Sequence, residues 1–197
     1  MKNILFIISL LTGTAALGQS YSDSIVTYRK KYIEELLAEK RQPIKPADAG
    51  KISFFPPDVT YRVIAEVRET PGSTPFMIPT HSGKQKPFRE YCTLTFTVKG
   101  QQYTLHAYQG IDLVKDTVYK DHLFIPFRDR TNYDQTYGGG RYIDLSIKDI
   151  SAGRILLDLN KSYNPYCAYA EGFNCPIPPN ENTLPIEIPV GEKTFVH

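Results

Sequence analysis

Hydrophobic residues recur at every second position along most of the chain after Lys51, and this alternation constrains the fold more than any other feature. Val59, Tyr61, Val63, Ala65 and Val67 alternate with Thr60, Arg62, Ile64, Glu66 and Arg68, the pattern of a strand with one buried face. Cys92, Leu94, Phe96 and Val98 repeat it. Lys99-Gly100 then offers a turn into Tyr103, Leu105 and Ala107, so the two runs read as a hairpin. Leu123 to Phe127 is a short apolar strand interrupted by Pro126, which places it at an edge or a bulge. Ile143, Leu145 and Ile147 form another inner face, and Ile155, Leu157 and Leu159 one more. Leu184, Ile186, Ile188 and Val190 also alternate, but Pro185 and Pro189 lie between them and permit only an edge strand.

Roughly six to nine short strands with turn signals between them predict an all-β fold, a sandwich or open barrel of short antiparallel strands. The 14 Tyr, 10 Phe, 15 Pro and 13 Gly agree with a β-rich, turn-rich domain. One N-terminal amphipathic helix precedes it. Ile25, Val26, Tyr32, Ile33, Leu36 and Leu37 recur at helical spacing, with Arg29, Lys30, Lys31, Glu34 and Glu35 on the other face. Asp23 suits the helix start, and Pro43 and Pro46 forbid continuation. The expected organisation is a leader at residues 1–18, a helical arm at 19–46 and a single β-rich domain at 47–197.

The leader reading rests on Lys2, the run from Ile4 to Leu11, and the small residues ending at Gly18, the outline of a secretory signal peptide. Thr12, Gly13 and Thr14 interrupt the run too soon for a membrane span. Gln19 stands where a lipoprotein would need Cys. The chain is therefore expected to be exported, to the periplasm or the extracellular space, with no lipid anchor and no stable membrane insertion after leader removal. A net charge of +2 is too small for a general footprint on nucleic acid.

Three cysteines leave at least one unpaired. Cys167 and Cys175 flank seven residues of a loop, so a local disulfide is expected. Two free thiols and a zinc site are the alternatives, and zinc lacks a nearby His ligand. Cys92 falls on the inner face of its strand, where a thiol behaves as a small hydrophobe.

Two segments look unlike scaffold. In the first, Gly138, Gly139 and Gly140 precede Arg141, which is in phase with Ile143, Leu145 and Ile147. An inward guanidinium must be paired, and Asp129 and Asp144 are the carboxylates nearest in sequence; the alternative is an Arg facing a ligand. In the second, Tyr163, Tyr166, Tyr169 and Phe173 decorate a loop stiffened by Pro165, Pro176, Pro178 and Pro179. It is either a plug over one end of the β core or a wall of a pocket. The candidate ligand-binding residues are Arg141, Tyr137, Asn164, Tyr166 and Asn182, placed where the glycine and tyrosine loops are expected to meet.

The motifs T-Y-G-G-G-R-Y, Y-N-P-Y-C-A-Y, C-P-I-P-P-N-E-N-T-L-P and G-E-K follow in fixed order, after F-F-P-P-D-V-T-Y-R-V, F-M-I-P-T-H-S-G and L-F-I-P-F-R-D. Over roughly residues 50 to 195 this series resembles the uncharacterised bacterial family called domain of unknown function 1684. The resemblance implies no established activity. The chain departs from the family in having Tyr133 where Gly is usual, Gln135 where Glu is frequent, and Cys92 in place of Gly or Ala.

No nucleophile elbow, zinc-binding helix, P-loop or dinucleotide fingerprint occurs. His81, His106, His122 and His197 are scattered without metal-ligand spacing. No cofactor and no metal are expected. Two functional readings follow: an exported β domain that binds a small molecule or glycan, and a hydrolase-like enzyme using Cys167, Asp129 or Glu181.

Overall fold

A computed structural model describes residues 8–197, with side chains from Gln19 onward. The leader expected at residues 1–18 lies outside the residues whose side chains are described. Helix α1 runs Ile8–Ala38. Seven strands follow: β1 Arg62–Glu69, β2 Phe76–Pro79, β3 Gln85–Val98, β4 Gln101–Gly110, β5 His122–Phe127, β6 Arg141–Ser146 and β7 Arg154–Asp158.

These strands pair antiparallel throughout, in the order β6-β5-β4-β3-β1-β7, with β2 also on β3. The sheet curls into a half-barrel. Strand β3 is long enough to serve two partners on one side, β2 at Gln85–Phe88 and β1 at Cys92–Thr95, and its register shifts between Glu90 and Cys92 where the two stretches join. The β3–β4 turn is Lys99-Gly100, both at positive φ, the geometry that matches strand twist in a two-residue hairpin.

The alternating residues line the concave face. Tyr61, Ala65, Leu94, Phe96, Leu105, Leu123, Ile125, Ile143 and Leu157 form one continuous buried cluster, together with Leu184, Ile188 and Val190. Cys92 is completely buried among them, and burial pushes its thiol up to about 12. The same strands carry a second apolar face. Phe124 and Tyr142 occupy positions between the inward residues, Phe88 reaches the same face because β3 shifts register between Glu90 and Cys92, and the three pack with Ile78 and Tyr108.

Several expectations are corrected. Strand β2 carries no alternation long enough to announce it. Helix α1 continues through Asp23, whose carbonyl accepts from the Thr27 hydroxyl. Arg29 is buried rather than solvated: it donates to the Phe55 carbonyl at 2.9 Å and lies 4.6 Å over the Phe54 ring.

Residues 184–190 form no strand, because their prolines leave a ladder without enough donors. Strand β5, expected at an edge or a bulge, lies inside the sheet and not at its edge. Its ladder to β4 is a single pair, Tyr108 with Phe124. Beyond it the Asn182 amide enters: its Oδ1 accepts from His106 N, and its Nδ2 donates to His106 O and Pro126 O. One side-chain amide thus does the work of the backbone pairing that the ladder lacks around Pro126.

Candidate functional site

Arg141 begins β6 on the inward phase and is completely buried. Its Nη2 donates to Asp129 Oδ2 and to the Ile188 carbonyl, each at 2.8 Å, and its Nη1 donates to the Val190 carbonyl. Burial weakens the guanidinium's hold on its proton and the Asp129 carboxylate strengthens it. Asp129 in turn accepts from Thr131 N, the Thr131 hydroxyl and Ile188 N. Arg141 therefore tethers the proline-rich 184–190 segment to the sheet by two alternate carbonyls. It is turned to the interior.

The other candidates divide. Asn182 and Asn164 are completely buried, Asn182 between β4 and β5 and Asn164 with its Nδ2 donating to Lys193 O at 2.7 Å. Tyr137 is half-buried, edge-on to His81 with centroids 6.1 Å apart. The glycine run is packed, not open. A Cβ at Gly140, where φ is +90°, would lie 2.6 Å from the Phe127 carbonyl, so a side chain is excluded there. Cys167 is joined to Cys175, and Glu181 accepts from the Tyr108 hydroxyl at 3.0 Å. Only Tyr166 of the five binding candidates borders a pocket over the second apolar face of the sheet.

That pocket, 370 Å³ in volume, opens over the aromatic face of the sheet. Its floor is Phe88, Phe124 and Tyr142, and its cover is Tyr163, Tyr166 and Phe173 from the tyrosine loop. The cover is positioned twice. Tyr142 and Tyr163 exchange both backbone hydrogen bonds, at 2.9 and 3.0 Å, and the Tyr142 hydroxyl donates to the Pro176 carbonyl at 2.5 Å. The Cys167–Cys175 disulfide then closes the segment between them, so that Phe173 lies edge-on to Tyr166 with centroids 5.3 Å apart.

Polar groups are few. His122 Nε2 lies 2.8 Å from Asp144 Oδ1, and the Tyr163 hydroxyl donates to Asp144 Oδ2 at 2.6 Å. A carboxylate against Nε2 favours a proton on that nitrogen, and Nδ1 has no partner among the described residues. Burial and the Asp144 charge raise the Tyr163 phenol well above its usual range, so it stays protonated as a donor. Arg41, following α1, and Lys86 on β3 also line the pocket, as do Tyr119 and Asn174.

A separate buried network lies behind the tyrosine loop. Glu192 accepts from the Tyr169 hydroxyl at 2.6 Å, Asn164 N at 2.9 Å and the Tyr32 hydroxyl of α1 at 3.2 Å. Burial nevertheless raises its carboxyl to about 7. Gly191, at φ +79°, is forced by Ser162, whose carbonyl would lie 2.7 Å from a Cβ.

Most pocket residues were not singled out by the alternation. The available signal was aromatic identity at the outward positions Phe124 and Tyr142, which a solvated face does not need and a covered one does; Phe88 is in phase with Cys92 in sequence and joins them only through the register shift in β3. Among the described residues, no three His, Cys, Asp or Glu side chains are grouped to hold a metal.

Comparison with known proteins adds kinship without activity. No curated protein matches the chain. A solution NMR structure of an uncharacterised protein from Haloarcula marismortui is 34% identical, with a TM-score of 0.65, covering 87% of this chain and 95% of that one. The family described as "Protein of unknown function (DUF1684)" matches residues 49–193, which include both loops, the Arg141–Asp129 pair and Glu192, and the chain belongs to that family.

Proposed function

We propose that this protein binds a small molecule with a flat apolar body, seated between the aromatic face of the sheet and the tyrosine loop. The carrying observation is the 370 Å³ pocket walled by Phe88, Phe124, Tyr142, Tyr163, Tyr166 and Phe173. A pocket of this size with mostly apolar walls and few convergent polar groups is the usual form of a ligand site. Aromatic faces favour stacking on a ring, with the Tyr163 hydroxyl and His122 as orienting polar groups. The Cys167–Cys175 disulfide supports residence in an oxidising compartment outside the cytosol. No described helix is long and apolar enough to cross a membrane.

The test is fluorescence titration with the neutral probe N-phenyl-1-naphthylamine. Saturable one-to-one enhancement that is lost in Leu113→Trp, which fills the pocket from its wall, supports the reading. No binding, or binding indifferent to Leu113→Trp, rejects it.

A further inference from the structure

We propose that the occupant carries an anionic group, a carboxylate, sulfonate or phosphate monoester, held by Arg41 and Lys86 at the edge of the pocket. This rests on the small-molecule reading above and goes beyond it by fixing the charge of the ligand.

The two cations come from different elements and converge on one lining. Arg41 follows the helix, and Lys86 projects from β3 two residues before Phe88, hence on the face that carries the pocket floor. Among the described residues neither forms an ion pair, and neither side chain donates a hydrogen bond. The other charged lining groups differ. Asp144 is committed to His122 and Tyr163, and it is the one carboxylate in the wall.

Arg41 is held rather than free. Its guanidinium carbon lies 4.6 Å from the Phe173 ring centroid and 5.9 Å from that of Tyr166. Contact with the rings uses none of the guanidinium's N–H donors in a hydrogen bond to the protein, so they remain available to an oxyanion, which arginine can receive in a bidentate manner. A clamp for the loop would need this one contact and no second cation. Yet Lys86 is near enough for the Arg41 charge to add to burial in lowering its pKa. Two unpaired cations repelling one another beside an apolar cavity cost free energy that an anion between them recovers.

The ligand class that satisfies both walls is a compact amphiphilic anion, one or two flat rings bearing an oxyanion. A neutral sugar would leave Arg41 and Lys86 unpaired, and a cation would be repelled.

The experiment uses a pair of probes differing by one sulfonate, N-phenyl-1-naphthylamine and 1-anilinonaphthalene-8-sulfonate, titrated into the full oxidised protein. Wild type, Arg41→Gln/Lys86→Gln and Leu113→Trp are compared, with far-UV circular dichroism to establish folding. The expected result is a preference of about tenfold or more for the sulfonate, falling with salt, and reduced to near parity in the double variant while the neutral probe is unaffected. Equal affinities in wild type, or a preference that survives the double variant, overturn the anion assignment. If the neutral probe still binds and is still blocked by Leu113→Trp, the small-molecule reading stands without it. If neither probe binds, or Leu113→Trp changes neither, the pocket reading fails and the anion assignment with it.

Discussion

Arg141 Nη2 donates to Asp129 Oδ2 across 2.8 Å, and both side chains are wholly excluded from solvent. The pair is more than a charge match, because the same guanidinium supplies the carbonyls of Ile188 and Val190. Arg141→Ala is expected to lower stability by about 3 to 5 kcal/mol, the usual cost of leaving a buried partner uncompensated. Replacing both members with apolar residues will not restore it, since those two carbonyls then lack donors. Urea unfolding of Arg141→Ala and of Arg141→Met/Asp129→Leu measures this. A double variant as stable as wild type refutes it.

Asn182 carries a comparable load. Asn182→Ala strips partners from His106 N, His106 O and Pro126 O, at about 1 to 3 kcal/mol for a buried group left unpaired. Asn182→Asp is expected to fail similarly, because a carboxylate cannot donate to the two carbonyls. Amide hydrogen exchange at His106 should quicken in both variants. Unchanged protection would show the amide to be a bystander.

Glu192 makes stability depend on pH in a definite direction. Its carboxyl titrates near 7 when folded and near 4.5 when unfolded. The native state therefore holds a proton over a range where the unfolded chain has lost it, and stability falls as pH rises from about 4.5 to about 7. The fall is on the order of 3 kcal/mol, with no further contribution from this group at higher pH. Glu192→Gln should flatten that segment of the profile. Denaturation midpoints at pH 5 and pH 8 decide, and an equal slope in both proteins counts against the assignment.

The disulfide should matter twice. Cys167 and Cys175 are eight positions apart, and cross-linking so short a loop contributes about 2.5 kcal/mol in the chain-entropy account. Because Tyr166 and Phe173 wall the pocket, reduction is also expected to weaken N-phenyl-1-naphthylamine binding. Titration before and after reduction tests this. Unchanged affinity would show that packing alone holds the loop.

Tyr133 sits at φ +70° with its ring largely in water. A non-glycine residue in the left-handed region is disfavoured by roughly 1 to 2 kcal/mol, partly offset by the greater freedom glycine has when unfolded. Tyr133→Gly is therefore expected to raise stability by about 0.5 to 1 kcal/mol. A thermal melt lower than wild type would mean the ring's contact over Gly138 outweighs the strain.

Side-chain period and local chemistry by themselves determined the antiparallel β character, the inward set from Tyr61 to Leu159, the Lys99-Gly100 hairpin, and the inward phase of Arg141. These depend on a two-residue period and on the φ preferences of neighbouring residues, which a chain carries wherever it lies. Tertiary structure alone decided that Pro126 sits inside the sheet with Asn182 beside it, and that residues 184–190 hang from Arg141 instead of pairing. It also decided that Phe88, Phe124 and Tyr142 share one pocket floor. Each of those depends on which strands become neighbours and which distant segment covers them. Alternation reports the face a residue takes and carries no information about what will lie against that face.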